Sequence, residues 1–407
     1  TKTLLWYYFP FKKVEKASEV FVPIGGAKMK KLMYEVRDFI DSNNMVRNDL
    51  AIKIGISNTT LGNGLNGKFE MKFENFLKLL NEVYDNQREI RLKMKKFIMK
   101  CTSDLNVKKS LFYCQAAGEY DTIQYLIRKY KENENLQRYI DVYELFNKRN
   151  RNEMRGQELS NLVNKLAPIE DVDREILIEL LLTVCMYDHG NYSAMLPHAD
   201  NARNALPKVK NKFVKQCVEL HFYERQAYIQ LLNNNVSESR RIANKVVESS
   251  FSALITKATG LCCIGESYIF SGEILKAEKY ILESISLLNE VSSAQKTRKY
   301  KSFHTTLAFL YIEHNFNLDK IDFTAIDKAE IAFFEAKYGD RNLAIKLLNE
   351  LLEENGKLTG FQWYYYAYAR PEKRIEYLNN ALLELAKNGN IYYMQAIREA
   401  LTKEQVS

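Results

Sequence analysis

The sequence predicts an all-α protein, and three observations carry that reading. Apolar residues recur at three- and four-residue spacing along nearly all of its 407 residues, the period of helices that bury one face. Only 16 glycines and 6 prolines punctuate the chain. No alternating apolar–polar run bounded by turn dipeptides marks a β-hairpin. The length suits roughly two or three domains.

Residues 1–28 read as an extension. LLWYYFPF is apolar but far short of the ~20 residues needed to cross a bilayer. The KKVEKASEV that follows lacks a signal-cleavage site, and Met29-Lys30-Lys31 reads as the start of the folded part. No other apolar run reaches membrane-spanning length, so no membrane partner is expected.

Over residues 29–84, Leu32, Val36, Phe39 and Ile40 share one face of a first helix ending near Asn43. Asn48 or Asp49 can cap a second, whose Leu50, Ala51 and Ile54 face inward. Gly55 gives the following turn a positive φ without a Cβ penalty. Ile56 plugs the core, and Ser57 can accept a hydrogen bond from the exposed amides of the next helix. Leu61 and Leu65 return to the core one turn apart, and Phe69, Phe73, Phe76, Leu77 and Leu80 begin a covering helix. In register, Ala51, Gly55, Ser57, Leu61, Leu65 and Gly67 resemble the lambda-repressor-like helix-turn-helix. The likeness implies a DNA-binding domain with Ser57, Asn58, Thr59, Thr60, Asn63 and Lys68 as contacts, the start of the third helix facing base edges. Asn can pair with adenine, and a Thr methyl can touch thymine. Gly62 and Gly64 each cost about 1 kcal/mol of helix stability against Ala. They predict a short or loosely wound helix whose bare backbone can approach phosphate, with decay of the motif as the alternative.

The net charge is +8, which permits nucleic acid without demanding it. Arg88, Arg91, Lys93, Lys95, Lys96 and Lys100, then Lys108 and Lys109, make residues 85–110 a basic connecting helix. Next to a DNA reader this run suits a phosphate backbone; a solvated helix face is the alternative. The 6 cysteines show no CxxC pair and no ligand-like spacing to the 5 histidines. They read as reduced core residues, with no metal site and no cofactor. No nucleophile–base pair or phosphate-cradling loop marks an enzyme, and His304 and His314 flank an aromatic helix without an evident partner.

Residues 111–390 read as paired helices. In GLCCIGESYIFSGEILKAEKYILESISLLNE, Leu261, Ile264, Gly265, Tyr268, Gly272, Ala277 and Ile281 fall at the positions of a tetratricopeptide repeat. Gly265 and Ala277 let two antiparallel helices approach closely, while Tyr268 fills the wedge between them. Ala332, Gly339, Ala344 and Leu348 repeat the plan. Weaker units carry Cys185 and Gly190, interrupted by Pro197, and Trp363 and Ala367, with a turn shortened at Arg370-Pro371. SLFYCQAAGEYDTIQYLIRKY reads as a degenerate first unit. Such arrays form a concave groove that holds an extended peptide or helix.

A lambda-repressor-like reader followed by a tetratricopeptide array resembles the peptide-pheromone receptors of Gram-positive bacteria and their phages, and within them the arbitrium receptors, AimR, of temperate phages. The stretches LNGKFEMKFENFLKLLNEVYDNQRE, LCCIGESYIFSGEILKAEKYILESI and YYYA carry the likeness. It implies a cytoplasmic regulator of phage lysis–lysogeny, with double-stranded DNA and a short secreted peptide, re-imported as a hexapeptide, as partners. It also implies a homodimer through the C-terminal helix, residues 391–407. There Ile391, Met394, Ile397 and Leu401 form an apolar stripe that reads equally as core packing. The peptide residues implied are Glu330, facing an arginine of the peptide, with Ile269, Cys263, Thr359, Tyr365, Tyr366 and Glu266. Glu266 stands where the family has asparagine, and the family arginine upstream falls near Ile255. A repeat scaffold that sequesters a protein, with an N-terminal unit that only packs, is the competing function.

Overall fold

In the computed structural model, which describes residues 27–291 and 295–406, every regular element is helical. The extension expected over residues 1–28 lies outside the described residues except for its last two positions. The chain divides into two compact units, Thr1–Asn106 and Val107–Ser407.

The first unit holds α1 (Ala27–Ser42), α2 (Arg47–Ile54), α3 (Asn58–Leu65), α4 (Phe73–Val83) and α5 (Gln87–Lys100). Leu32, Val36, Ile40, Ala51, Ile54, Leu61, Leu65, Phe76 and Leu80 are its core. The second helix begins earlier than the sequence suggested. Val46 occupies its N-cap position and bonds no amide with its side chain, while Asn48 and Asp49 lie inside the first turn. Gly55 takes a left-handed conformation at φ 78°, its amide donating to the Ala51 and Ile52 carbonyls. Open space surrounds the Cβ position there, so the backbone conformation alone calls for glycine. The basic segment α5 packs into this same unit, with Phe97 stacked on Phe76 at 4.6 Å between ring centroids. Buried Glu70 fastens the segment after it, accepting hydrogen bonds from the Thr102 amide and hydroxyl and from Asn106 Nδ2.

From α6 (Asp104–Ala117) onward the second unit runs through α7 (Tyr120–Tyr130), α8 (Glu134–Asn150), α9 (Gly156–Val163), α10 (Val172–Asp188), α11 (Met195–Ala205), α12 (Lys212–Leu232) and α13 (Val236–Glu248). It continues with α14 (Leu254–Glu266), α15 (Ile274–Leu288), α16 (Gln295–His314), α17 (Lys328–Tyr338), α18 (Arg341–Asn355), α19 (Gly360–Ala369), α20 (Arg374–Asn388) and α21 (Met394–Val406). Consecutive helices pack as hairpins, most extensively α14 with α15, α19 with α20, α12 with α13, and α10 with α11. No helix among the described residues is long and apolar enough to cross a membrane, and all six cysteines are buried.

Gly265 shows why the hairpins need small residues. A Cβ there would lie 2.7 Å from Ile281 Cγ1 and 2.9 Å from the Ala277 carbonyl oxygen. Tyr268 stacks parallel on Tyr280, their centroids 6.1 Å apart, and the Arg240 guanidinium sits 3.5 Å from the Tyr268 ring centroid. Gly360 repeats the device against Leu385 and the Ala381 carbonyl.

The array closes on itself. The amides of Tyr192 and Ser193 donate to the Asn388 carbonyl, and those of Ile391 and Tyr392 to the Leu232 carbonyl. Tyr392 Oη reaches the Glu266 carbonyl at 2.7 Å. Of the apolar stripe at the C-terminus, Ile397 is buried in this packing, Ile391 is exposed, and Met394 and Leu401 are half-buried.

Replacing Gly265 by Ala should force α14 and α15 apart at a backbone contact and cost about 1–3 kcal/mol. The check is the thermal midpoint of the whole chain; a midpoint that does not move would show that the hairpin yields without loss.

Candidate functional site

Two surfaces can engage partners, one in each unit. In the first, Ser57 caps α3, its hydroxyl accepting from the Thr60 amide at 3.0 Å and lying 2.8 Å from Thr60 Oγ1. That fixes the helix start and leaves Asn58 and Thr59 exposed, with Thr60 and Asn63 half-buried and Lys68 exposed. The two glycines divide. A Cβ on Gly62 would meet nothing within 4 Å, whereas one on Gly64 would lie 2.7 Å from Met71 Cε. Gly64 is therefore a packing residue on the buried side of α3, and only Gly62 leaves its backbone bare. The phosphate-approach reading is corrected accordingly for Gly64. Along α5 the charges also divide. Lys93 and Lys96 both hold Glu35 of α1, at 3.1 and 3.0 Å. Burial pushes the Glu35 carboxyl up, but these two ammoniums prevail and lower it. Arg88 and Lys95 remain exposed.

In the second unit the inward helices and the closing turn surround a cavity of about 270 Å³. Its walls are Tyr187 of α10, Tyr228 and Leu232 of α12, Phe309 of α16, and Phe361 and Tyr365 of α19, with Tyr192, Asn390 and Tyr393 from the connecting turns. Two carboxylates enter it, Glu266 at the end of α14 and Glu330 in the first turn of α17. Tyr365 Oη donates to Glu330 Oε1 at 3.1 Å, and Tyr393 Oη to Glu266 Oε1 at 2.5 Å. Glu330 Oε2 is buried with no hydrogen-bond partner among the described residues. Burial, with nearby Asp327 adding to it and Tyr365 opposing, raises the Glu330 carboxyl to about 8. Burial raises Glu266 to about 7 against the pull of Tyr393 and Lys299. Neither acid makes an ion pair with a described residue.

Beyond Tyr187, Tyr192, Ser302 and Thr305 the cavity opens into a cleft of about 690 Å³ with the opposite charge. Arg149 and Arg155 both grip Asp188, at 2.9 and 3.0 Å, leaving one positive charge over, and Arg298 and Lys299 add two more. Burial, opposed by Glu224 and reinforced by Arg225 and Arg149, brings the Lys299 ammonium down to about 8. The groove is thus acidic at one end and basic at the other, suiting an extended ligand with a cationic group and a carboxylate.

The residues expected to bind peptide separate in space. Glu266, Glu330 and Tyr365 share the cavity. Cys263 and Ile269 are fully buried in the hydrophobic core. Tyr366 turns to the other side of α19, its hydroxyl donating to Asn349. Thr359 caps α19 through a reciprocal pair of hydrogen bonds with Gln362. Sequence reasoning did not reach Tyr187, Tyr192, Tyr228, Phe309, Phe361, Tyr393 or the basic cluster. The register of the repeats, which tells inward helices from outward ones, was the signal that could have found those on α10, α12 and α16.

Residues 89–403 match the profile of a family described as AimR transcriptional regulator-like. The uncharacterized protein pXO2-35 of Bacillus anthracis is 25% identical over 242 residues, covering 58% of this chain and 86% of that protein. The solved phAimR–ligand structure superposes with a TM-score of 0.69 at 16% identity, over 82% of this chain and 98% of phAimR. Selenomethionine phAimR gives 0.60 at 16% identity, over 92% and 97%. At that identity the superpositions speak for the fold.

Two outcomes follow from this geometry. Gly62→Ala should stabilise the first unit by up to about 1 kcal/mol, and Gly64→Ala should gain less because Met71 must move; equal effects in denaturant melts would refute the division between them. For Glu330, the folded chain binds the more protons between its ordinary 4.5 and about 8, so stability falls as pH rises through that window. Glu330→Gln should therefore melt at the same temperature as the parent near pH 4.5 and above it at pH 8.5. A difference independent of pH would contradict the burial argument.

Proposed function

Because this chain belongs to the AimR transcriptional regulator-like family, we propose that it is a DNA-binding regulator whose hold on an operator responds to a short peptide in the groove of its repeat array. The observation that carries the peptide reading is Glu330, a carboxyl group buried among aromatic rings with an oxygen that no described residue satisfies. A buried acid is costly unless a cation meets it, and a guanidinium supplies both charge and donors in a planar fork. The basic cleft next door supports a free carboxylate at the ligand's other end. We take the ligand to be a hexapeptide containing arginine and the setting to be the lysis–lysogeny decision of a phage in its host's cytoplasm.

For DNA, the support is the capped start of α3. Asn58 and Thr59 stand clear of the protein, while Ser57 and Leu61 hold the helix to its unit. Lys68, Arg88 and Lys95 are exposed charges that can follow a backbone. Thr60 and Asn63, half-buried, would reach bases only at the centre of the contact. A homodimer would place two readers on one operator, and Ile391 is the stripe residue still exposed for such a contact.

Anisotropy titrations with an operator-bearing duplex test the whole reading. Asn58→Ala with Thr59→Ala should remove about 1–3 kcal/mol of preference per lost base contact while leaving the salt dependence, about −0.9 per phosphate contacted, unchanged. Arginine-containing hexapeptides should shift the DNA affinity of the parent and not of Glu330→Gln. A ligand acts only through unequal affinity for two states, so a peptide that binds without moving DNA affinity would defeat the regulatory part. Retained sequence preference in the Asn58/Thr59 variant would remove α3 from the reading.

A further inference from the structure

We infer that the aromatic cavity is a seat for two positive charges of one ligand, with Glu330 and Glu266 each receiving one. The inference rests on reading the groove as a ligand site and goes further, since a single guanidinium would answer only one of the acids.

Glu330 Oε2, Asn390 Oδ1 and Thr305 Oγ1 all line the cavity, are buried, and have no hydrogen-bond partner among the described residues. Asn390 Oδ1 is a pure acceptor, Thr305 Oγ1 can accept, and Glu330 Oε2 accepts once the carboxyl ionises, so a ligand bringing N–H donors and positive charge would answer all three. Glu266 and Glu330 are 8% and 7% exposed, and neither has a cation paired with it. The charged and titratable groups around Glu330 are Asp327, Lys301 and Tyr365. Around Glu266 they are Tyr393 and Lys299, with Tyr187 of α10, Tyr192 of the turn after it, Tyr228 of α12, Cys262 and Cys263 of its own helix, and Tyr392 of the closing turn. Lys301 is engaged with Asp327 at 2.6 Å, and Lys299 lines the neighbouring basic cleft. With no ligand present, Glu330 therefore keeps its proton near neutral pH, and Glu266, raised to about 7, is about half protonated. A dication would displace the protons that remain and leave the cavity electrically balanced; a monocation would leave one acid protonated or one charge bare. Tyr187, Phe309 and Phe361 also line the cavity, and aromatic rings attract cations that reach their faces.

Two sources share this chemistry: a peptide whose arginine lies next to its free terminal ammonium, and a free alkyl diamine. The probes are argininamide, which carries a guanidinium and an ammonium, N-acetylargininamide, which carries the guanidinium alone, and 1,4-diaminobutane. Calorimetry on the full chain at pH 7, repeated in buffers of different ionisation enthalpy, reads affinity and protons released. Argininamide or the diamine should bind at least about tenfold tighter than N-acetylargininamide, with more than one proton released; whichever is tighter names the source. Glu266→Gln, which keeps the acceptor for Tyr393, should abolish that preference and leave one proton at most, while Glu330→Gln weakens every probe. Thermal melts of both variants establish that they fold. Equal affinity for the mono- and dicationic probes, or a preference that survives Glu266→Gln, overturns the two-charge seat while the groove reading stands. If none of the probes binds at millimolar concentration and no arginine-containing hexapeptide binds either, both fall together.

Discussion

The second unit depends on a closure made largely of backbone. Stacked helical hairpins ordinarily touch only their neighbours, and nothing in their pairwise packing brings the last against the middle. Here the chain around Asn388–Tyr392 meets the carbonyl of Leu232 and the amides of Tyr192 and Ser193. Each of these groups would otherwise be an unsatisfied end of a helix or turn. The closing turn also delivers Asn390 and Tyr393 to the cavity, so that part of its wall exists only because the ends meet. Glu266 is tied to the same turn by two tyrosine hydroxyls, one on its carbonyl and one on its carboxylate. Ligand chemistry at that carboxylate is thereby connected to the element that shuts the array.

The sequence disclosed most where a single residue type is forced. Gly55 is favoured by its positive φ, and Gly265 because the Ala277 carbonyl oxygen lies only 2.9 Å from where its Cβ would be; both were legible as motif positions. Serine at 57 was legible as a cap for the same reason, since few side chains can bond the amide three residues on. The start of α2 was not, because Val46 leaves no chemical mark there, and a polar residue inside the first turn looked like the better cap. The pair α12–α13 was missed for a related reason. Its turn takes the left-handed conformation on Asn234 at φ 63°, a residue too common in this chain to read as punctuation.

The site was legible only in part, and the reason is orientation. Glu330 drew attention because an acid among aromatic residues is physically expensive, and the structure places it in a cavity. Cys263 and Ile269 sit within three residues of Glu266, yet both are buried in the core: Cys263 lies one turn earlier on α14, and Ile269 lies beyond the helix end in the turn that follows. Tyr365 and Tyr366 part company because neighbouring positions on a helix look in different directions, one bonding Glu330 and the other Asn349. The basic cleft combines Arg149 and Arg155 with Arg298 and Lys299, separated by well over a hundred positions, and no local pattern joins them. Gly62 and Gly64 looked alike in the sequence and differ because positions two apart on a helix point to nearly opposite sides, one to open space and the other to Met71.

Closure has an evolutionary corollary. An open solenoid can gain or lose a repeat and remain sound, because each interface is local. A ring whose last turn must land on Leu232 has no such freedom: one hairpin more or fewer would carry Ile391 and Tyr392 past their acceptor. Lineages built on this plan should therefore diverge by exchanging side chains inside the ring while the number of hairpins stays fixed.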